Sequence, residues 1–109
     1  MLSAMQSAMQ GIQANQRGLD TVARNVANVN TPGYRAQRYD QASGQVEPRH
    51  DPRPPEPDRP DPPPSDVDLA EELVDLKRYE LGTRANARVI QVADRTLGRL
   101  LDIFDDRQM

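Results

Sequence analysis

Four acidic residues around position 70 have the types and spacing that come nearest to a reactive site. They are Asp68, Glu71, Glu72 and Asp75. Spacings of three and four residues place carboxylates on one face of a helix, where they could bind a metal ion. The simpler interpretation is a solvated helix start, because negative charge stabilises the amino end of a helix and the basic pair Lys77 and Arg78 follows. We predict the helix start.

The remaining candidate residues do not indicate an enzyme. The single histidine, His50, lies among prolines without apolar shelter, so a catalytic or ligand role has no support. Met5 and Met9 fit an apolar helical stripe and need no cofactor. The absence of cysteine excludes disulfides and thiolate metal sites. We therefore expect no enzymatic activity, no catalytic residue, no cofactor and no metal.

Composition limits the fold and the partners. The 109 residues are 36% hydrophobic and 4% aromatic, which is too little for a compact core of ordinary size. The net charge of −3 is spread without a block of one sign, which argues against nucleic acid as a partner. The first residues show no basic region followed by an unbroken apolar run, and no stretch is long enough to span a membrane. We expect neither a cleaved signal peptide nor membrane insertion.

Apolar periodicity predicts a mainly α protein with two long helices that form a coiled-coil-like pair. We expect an N-terminal seam helix at 1–30, a turn and extended segment at 31–45, a linker at 46–66, a C-terminal seam helix at 67–105 and a tail at 106–109. Asp66 is the expected N-cap of the second helix, and Gly82 is expected to weaken or kink it. Gly11 and Gly18 would allow a neighbouring helix to approach closely.

Each helix carries an apolar seam at alternating spacings of three and four residues. The width of both stripes indicates that helices from other copies cover them, so the chain is typical of an assembly subunit. The predicted seam consists of Leu2, Met5, Met9, Ile12, Leu19, Val26, Leu69, Leu73, Leu76, Asn86, Ile90, Leu97, Leu101 and Phe104.

The middle of the chain has a different composition. Between Val46 and Val67 there is no aliphatic or aromatic residue, and all of the ten prolines except Pro32 lie between Pro48 and Pro64. Such a segment buries too little to offset its ordering entropy, so we expect a disordered linker with polyproline II character. Its PxxP motifs, Pro54 to Pro57 and Pro57 to Pro60 beside Arg53 and Arg59, leave a proline-motif binding protein as an alternative.

The end of the first helix concentrates turn residues. Asn28 and Asn30 suit a helix end because asparagine tolerates the left-handed conformation. Pro32 stops the helix and presets the first central position of a turn, and Gly33 supplies the positive φ of a type II turn. Tyr34 then leads into an extended segment. A simple helix stop does not account for Asn25, which lies a full turn earlier.

Two stretches resemble a known family. "LDTVARNVANVNTPGYR" at 19–35 is similar to the N-terminal signature of the bacterial flagellar axial proteins, which include the basal-body rod and hook subunits. "SDVDLAEELVDL" at 65–76 and "RANARVIQVADRTLGRLLDI" at 84–103 resemble the C-terminal signature. The resemblance is closest to a small rod subunit, although Arg24, Lys77, Gly82 and Thr83 depart from the family pattern.

The resemblance implies that the two helices pair in a coiled-coil unit lining a hollow helical tube, and that the segment after the first helix contacts neighbouring subunits. Asn86 and Ile90 would lie on the packed face of the second helix. We call the bend between the first helix and this segment the elbow. The residues that would shape the elbow are Asn25, Asn28, Asn30, Thr31, Pro32, Gly33 and Tyr34.

The resemblance also implies a biological setting. The chain would be a structural subunit of the flagellar basal-body rod in the periplasm, would support motility, and would have itself and other rod and hook subunits as partners. Export would run through the flagellar type III apparatus without cleavage. A cytoplasmic coiled-coil adapter unrelated to motility remains an alternative.

Overall fold

Two long helices and a short β-hairpin form the structure, a computed structural model that describes residues 1–52, 54, 57, 58 and 62–108. Helix α1 spans Leu2–Ala27 and helix α2 spans Leu69–Gln108. Strands β1, Gln37–Asp40, and β2, Gln45–Pro48, lie between them in the chain. The molecule is elongated, with extents of 84 × 21 × 14 Å. The predicted pair of long helices is confirmed.

The two helices pack antiparallel along a face rich in polar and small residues. The facing pairs, from one end of α1 to the other, are Asn25 with Glu72, Gly18 with Tyr79, Asn15 with Gly82 and Gly11 with Asn86. In three of these pairs a glycine of one helix accommodates a larger side chain of the other. The expectation that Gly11 and Gly18 allow close approach is therefore confirmed, and Gly82 does the same from the opposite helix.

The predicted apolar seam lies mostly outside this contact. Its half-buried members are Met5, Ile12, Leu19, Asn86, Ile90 and Leu97. Its exposed members are Leu2, Met9, Val26, Leu69, Leu73, Leu76, Leu101 and Phe104. The glycines select the contact face because helix axes come closest where side chains are smallest. The apolar residues are consequently displaced towards the outer surface.

Helix α2 begins two residues later than expected. The N–H of Ala70 donates to Asp68 Oδ1 at 2.9 Å, so Asp68 makes the capping contact. The prediction of Asp66 as the N-cap is wrong, since its carboxylate instead accepts the N–H of Ala36. Helix α2 is continuous through Gly82, where a weak or kinked point was expected.

A β-hairpin occupies the segment predicted only as extended chain. β1 and β2 pair antiparallel from Gln37 opposite Pro48 to Asp40 opposite Gln45. The turn closes with Gly44 at φ +73°, and its N–H donates to the carbonyl of Asp40 at 2.8 Å. β2 includes residues 46–48, the first three of the predicted linker. Pro48 is tolerated because it ends the strand of a two-stranded sheet.

The last residues of the predicted linker are in contact with the elbow. The carbonyl of Pro63 accepts the N–H of Gly33 at 2.6 Å, and the N–H of Asp66 donates to the carbonyl of Tyr34 at 3.2 Å. The PxxP motifs involve Arg53, Arg59 and Pro60, which lie outside the described residues.

Two glycine substitutions test the close approach of the helices. A Cβ on Gly18 would collide with the ring of Tyr79, whereas a Cβ on Gly98 meets nothing within 4 Å. We expect Gly18→Ala to lower the free energy of unfolding by about 1–3 kcal/mol through overpacking. Gly98→Ala should raise it by about 0.5–1 kcal/mol through helix propensity. Thermal denaturation followed by circular dichroism at low micromolar concentration measures both, and equal effects would contradict the glycine-fitted contact.

Candidate functional site

The turn after α1 has the conformation that its sequence predicts. The N–H of Tyr34 donates to the carbonyl of Thr31 at 3.1 Å, closing a turn with Pro32 and Gly33 at its central positions. Gly33 has φ +78°. The prediction that Pro32 takes the first central position of the turn and that Gly33 supplies the positive φ is therefore confirmed.

The two asparagines before the turn act differently from the prediction. Within the described part of the chain, no residue other than glycine has a positive φ. Asn28 follows the last residue of α1 with φ −109° and ψ 15°. Its side-chain amide donates to the carbonyl of Arg24 at 2.8 Å, and its Oδ1 accepts the hydroxyl of Thr31 at 3.1 Å. Asn28 thus ends the helix as predicted, but through its side chain, and neither Asn28 nor Asn30 uses the left-handed conformation that was the reason for the prediction.

Asn25 is the centre of the site. Its side chain is fully buried. Its Nδ2 donates to the carbonyl of Gln37 at 2.6 Å and to Glu72 Oε1 at 2.9 Å. Its Oδ1 accepts the hydroxyl of Tyr34 at 2.9 Å and the N–H of Gln37 at 3.0 Å. Both donors and both acceptor positions of the amide are used, so this side chain joins α1, the turn, β1 and α2.

Tyr34 is well suited to donate to that amide. Burial raises the pKa of its phenol above the ordinary value of 10.0, while the nearby Arg24 acts in the opposite direction. The hydroxyl therefore stays protonated at neutral pH and remains a donor to Asn25. The tyrosine that follows the Pro-Gly turn is held against the last turns of the helix it has just left.

An ion-pair cluster lies beside Asn25. Arg49, which directly follows β2, pairs with Asp75 and lies 3.4 Å from Glu72 Oε1 through its Nε. Burial raises the pKa of Glu72 above the ordinary 4.5, against the lowering effects of the Asn25 hydrogen bond and the Arg49 charge, while Asp75 and Glu71 raise it further. Glu72 Oε2 and Arg49 Nε are buried without a hydrogen-bond partner among the described residues.

The prediction of a solvated acidic helix start is wrong for two of its four residues. Glu72 is completely buried and Asp75 is 8% exposed. Arg49 supplies most of the compensating charge, and Arg78 lies 3.5 Å from Asp75. Sequence alone placed these acids on one helical face. It could not identify that face as the one turned towards α1.

His50 lies in a more enclosed place than its proline-rich surroundings suggested. Its ring is half-buried, with Nδ1 3.5 Å from Asp66 and Nε2 3.2 Å from Glu71. Its carbonyl accepts the guanidinium of Arg35 at 2.9 Å. These contacts tie the residue after Arg49 both to the start of α2 and to the elbow.

The backbone after Tyr34 is held from two sides. The carbonyl of Ala36 accepts the N–H of Arg49 at 2.9 Å, and the N–H of Ala36 donates to Asp66. Ala36 itself is completely buried. The exposed part of the predicted motif is the tip, Asn30 to Gly33. Asn25 and Tyr34, on either side of the tip in the chain, hold its two ends together through their hydrogen bond.

Sequence reasoning missed the partners of the motif. These are Gln37, Arg49, Asp66, Glu72 and Asp75. The one signal available was the position of Asn25 within the helix, which required a partner outside the turn. The arrangement offers no activated nucleophile, and what it does is fix the angle between α1 and the chain that follows.

Substitutions at Asn25 test this bracing role. Asn25→Ala leaves several buried polar groups unpaired and should lower the free energy of unfolding by at least about 1–3 kcal/mol. Asn25→Asp should cost more at neutral pH, because a carboxylate oxygen would replace the amide group that now donates to Glu72. Asn30→Ala, at an exposed position, should change stability by less than about 0.5 kcal/mol. Urea denaturation measures all three, and equal effects of the two alanine variants would contradict the network.

The buried carboxyl of Glu72 predicts a dependence of stability on pH. A carboxyl whose pKa is higher in the folded state binds more protons there, so the free energy of unfolding falls as pH rises from about 4.5 through the raised pKa. Glu72→Gln should flatten this slope. Asp40 is the control, because a hydrogen bond from Ser43 lowers its pKa below 3.8 and its contribution is lost only as pH falls through that lower pKa. If Asp40→Asn instead flattened the slope above pH 4.5, the assignment to Glu72 would fail.

Comparison with known families points to the same part of the chain. Residues 5–35 match the model of the family described as flagella basal body rod protein. This match includes most of α1 and the whole turn, and it confirms the resemblance to the rod family. The C-terminal resemblance at 65–76 and 84–103 lies outside the match and stays a prediction. No significant similarity to a curated protein was found. None of the described helices combines the length and apolarity needed to cross a bilayer.

Proposed function

We propose that this chain, whose residues 5–35 match the flagellar basal-body rod family, is a structural subunit of the bacterial flagellar rod. It assembles with copies of itself and with other rod and hook subunits, and it supports flagellum-dependent motility. Its site is the periplasmic rod of the basal body, which it reaches through the flagellar type III export apparatus without cleavage. The protein acts by shape and contact, with no catalytic step.

One observation carries this proposal. The family match ends at residue 35, directly after the hydrogen-bonded turn, and it contains both Asn25 and Tyr34. The matched segment thus has a base held by the hydrogen bonds of Asn25 and Tyr34, and an exposed tip at 30–33. A fixed tip suits a contact repeated at every subunit of a polymer, because each copy must present the same geometry.

The outer faces of the helices support assembly. The α1–α2 contact uses polar and small residues, and it leaves Leu2 at 71% and Leu73 at 59% exposed. Apolar residues arranged along the outside of both helices favour coverage by other helices, at about 25 cal/mol per Å² of apolar surface removed from water. The predicted seam residues are, in this proposal, contacts between subunits.

Deletion of the gene tests the function. The deletion strain should be non-motile and should lack complete rods in electron micrographs of purified basal bodies, and the wild-type gene should restore both. In a strain that lacks the flagellar export gate, the protein should remain in the cytoplasm. Normal motility in the deletion strain would exclude a required rod role.

Two substitutions in the complemented strain separate bracing from contact. Asn25→Ala should reduce motility together with protein stability, because the base of the turn is lost. Asn30→Ala leaves the fold intact, so a loss of rod completion at normal protein level would assign the exposed tip to contact between subunits. Wild-type assembly in both strains, at normal protein level, would leave the motif as a helix stop only.

A further inference from the structure

Basic residues that are scattered in the sequence lie together on one side of helix α2. Residues eleven apart lie almost in line along a helix, because eleven residues make about three turns. Two such lines lie side by side on α2 and carry positive charge from 77 to 99, a length of about 33 Å. The first line is Lys77, Arg88 and Arg99, and the second is Arg84 and Arg95.

These five residues, which we call the basic face, lie on the side of α2 that faces away from α1. All five are exposed, whereas the contact with α1 is made on the other side of the helix by residues that include Tyr79, Gly82 and Asn86. Arg84 pairs with Glu80 at 2.8 Å. The other four basic residues form no ion pair within the part of the chain that the structure describes. The basic face is thus a positive surface on a chain whose net charge is −3.

An apolar line runs beside the basic face. Leu81, Val92 and Ile103 are also eleven residues apart, and each follows a basic residue by four positions, so the two are neighbours on the helix surface. The three apolar residues are 62%, 50% and 53% exposed. A partner that covers this side of α2 must therefore offer negative charge and apolar surface together.

The end of α2 changes the sign of the charge. The line of Arg84 and Arg95 continues at Asp106, eleven residues later, and Asp102 lies one turn before Asp106. A bilayer of anionic lipid or a nucleic acid presents negative charge throughout and would repel these two acids. A protein helix can match the change of sign along its length, so the charge pattern favours a helix.

A second copy of this chain does not supply such a helix. α1 carries a single acidic residue, Asp20. The acids of α2 lie near its two ends, apart from Glu80 and Asp94, and two of them, Glu72 and Asp75, are buried. Neither of the described helices therefore offers an acidic face of about 33 Å. The charge pattern indicates a different chain as the partner.

We propose that the basic face of α2, together with its apolar line, binds an acidic amphipathic helix of a different protein chain. The acidic residues of that helix meet Lys77 to Arg99, and its basic residues meet Asp102 and Asp106. The eleven-residue period keeps the contact nearly straight, because it lies close to the natural period of an α-helix. The proposal rests on the proposed function in one respect, namely that the partner is another subunit of the same structure.

A synthetic helix tests the chemistry of the partner in the absence of any assembly. The peptide has about 27 residues, with two lines of glutamate and one line of leucine at a spacing of eleven, and lysines at the end that meets Asp102 and Asp106. Measured by fluorescence anisotropy, it should bind the full chain with saturation below about 1 mM. Raising NaCl from about 50 to 500 mM should weaken binding at least about tenfold, since exposed charges are screened.

A second peptide of the same composition, with its glutamates spread around the helix, should bind at least about tenfold more weakly. Equal binding of the two peptides, or no saturation below about 1 mM, would overturn the proposal.

Charge reversal locates the contact on α2. Arg88→Glu with Arg95→Glu should raise the Kd of the peptide at least about tenfold, and a peptide with lysine in place of glutamate should bind this variant instead. The matched control is Arg17→Glu with Arg24→Glu, an equal change of charge at the same spacing on α1, which should leave Kd within about twofold. Circular dichroism checks that each variant keeps its helix content. Equal effects of the two variants would indicate non-specific attraction and contradict the assignment to α2.

Cross-linking in cells identifies the natural partner. A photoreactive residue in place of Leu81 should capture a helix in which acidic residues outnumber basic ones, and Arg88→Glu with Arg95→Glu should remove the product. The same photoreactive residue in place of Val46, which is exposed on the hairpin, is the control and should not capture that helix. Capture of lipid, nucleic acid or a second copy at Leu81, or the lack of a product, would refute the proposal. The rod role is judged separately, by the motility of the deletion strain.

Discussion

The junction of α1, the turn, β1 and α2 depends on a single buried amide. The side chain of Asn25 uses both donors and both acceptor positions, and its partners come from β1, α2 and the turn. Because the bonds leave in different directions, they define the position of each partner relative to α1. The helix pair, the hairpin and the exposed tip consequently share one fixed junction. A buried amide that uses all of its donors and acceptors rigidifies a structure more than the area it buries suggests.

The charges around that junction have a different role. Glu72 and Asp75 lie on the buried face of α2 and share the guanidinium of Arg49, which lies just after the hairpin. Buried ion pairs often add little net stability because desolvation offsets their attraction. Their value here is registry, since only one placement of the hairpin brings Arg49 to both acids. The same placement allows the backbone of Arg49 to reach Ala36.

Local rules in the sequence were sufficient for the parts of the fold that depend on neighbouring residues. The Pro32–Gly33 turn and the two long helices followed from φ preferences and apolar spacing. The contact face of the helices did not follow from these rules. Apolar spacing predicted the face of α2 that contains Leu73, whereas the close approach at Gly18 selects the face that contains Tyr79 and Glu72. The hairpin was missed for a related reason. Its strands are short and polar, and they are held by Asn25 of α1 and, through Arg49, by the acids of α2. Tertiary partners of polar residues leave no periodic signal.

The polar, glycine-fitted contact between the helices has a thermodynamic consequence. The heat-capacity change of unfolding comes mainly from apolar surface that becomes hydrated, and polar surface contributes with the opposite sign. A chain that buries Asn15, Asn25 and Glu72 between its helices while Leu73 and Phe104 face outward exposes less apolar surface when it unfolds than a pair packed through its apolar seam would. We therefore expect the stability of the single chain to vary less steeply with temperature than that of such a pair. The larger change in heat capacity is expected for assembly, when other copies cover the apolar outer faces.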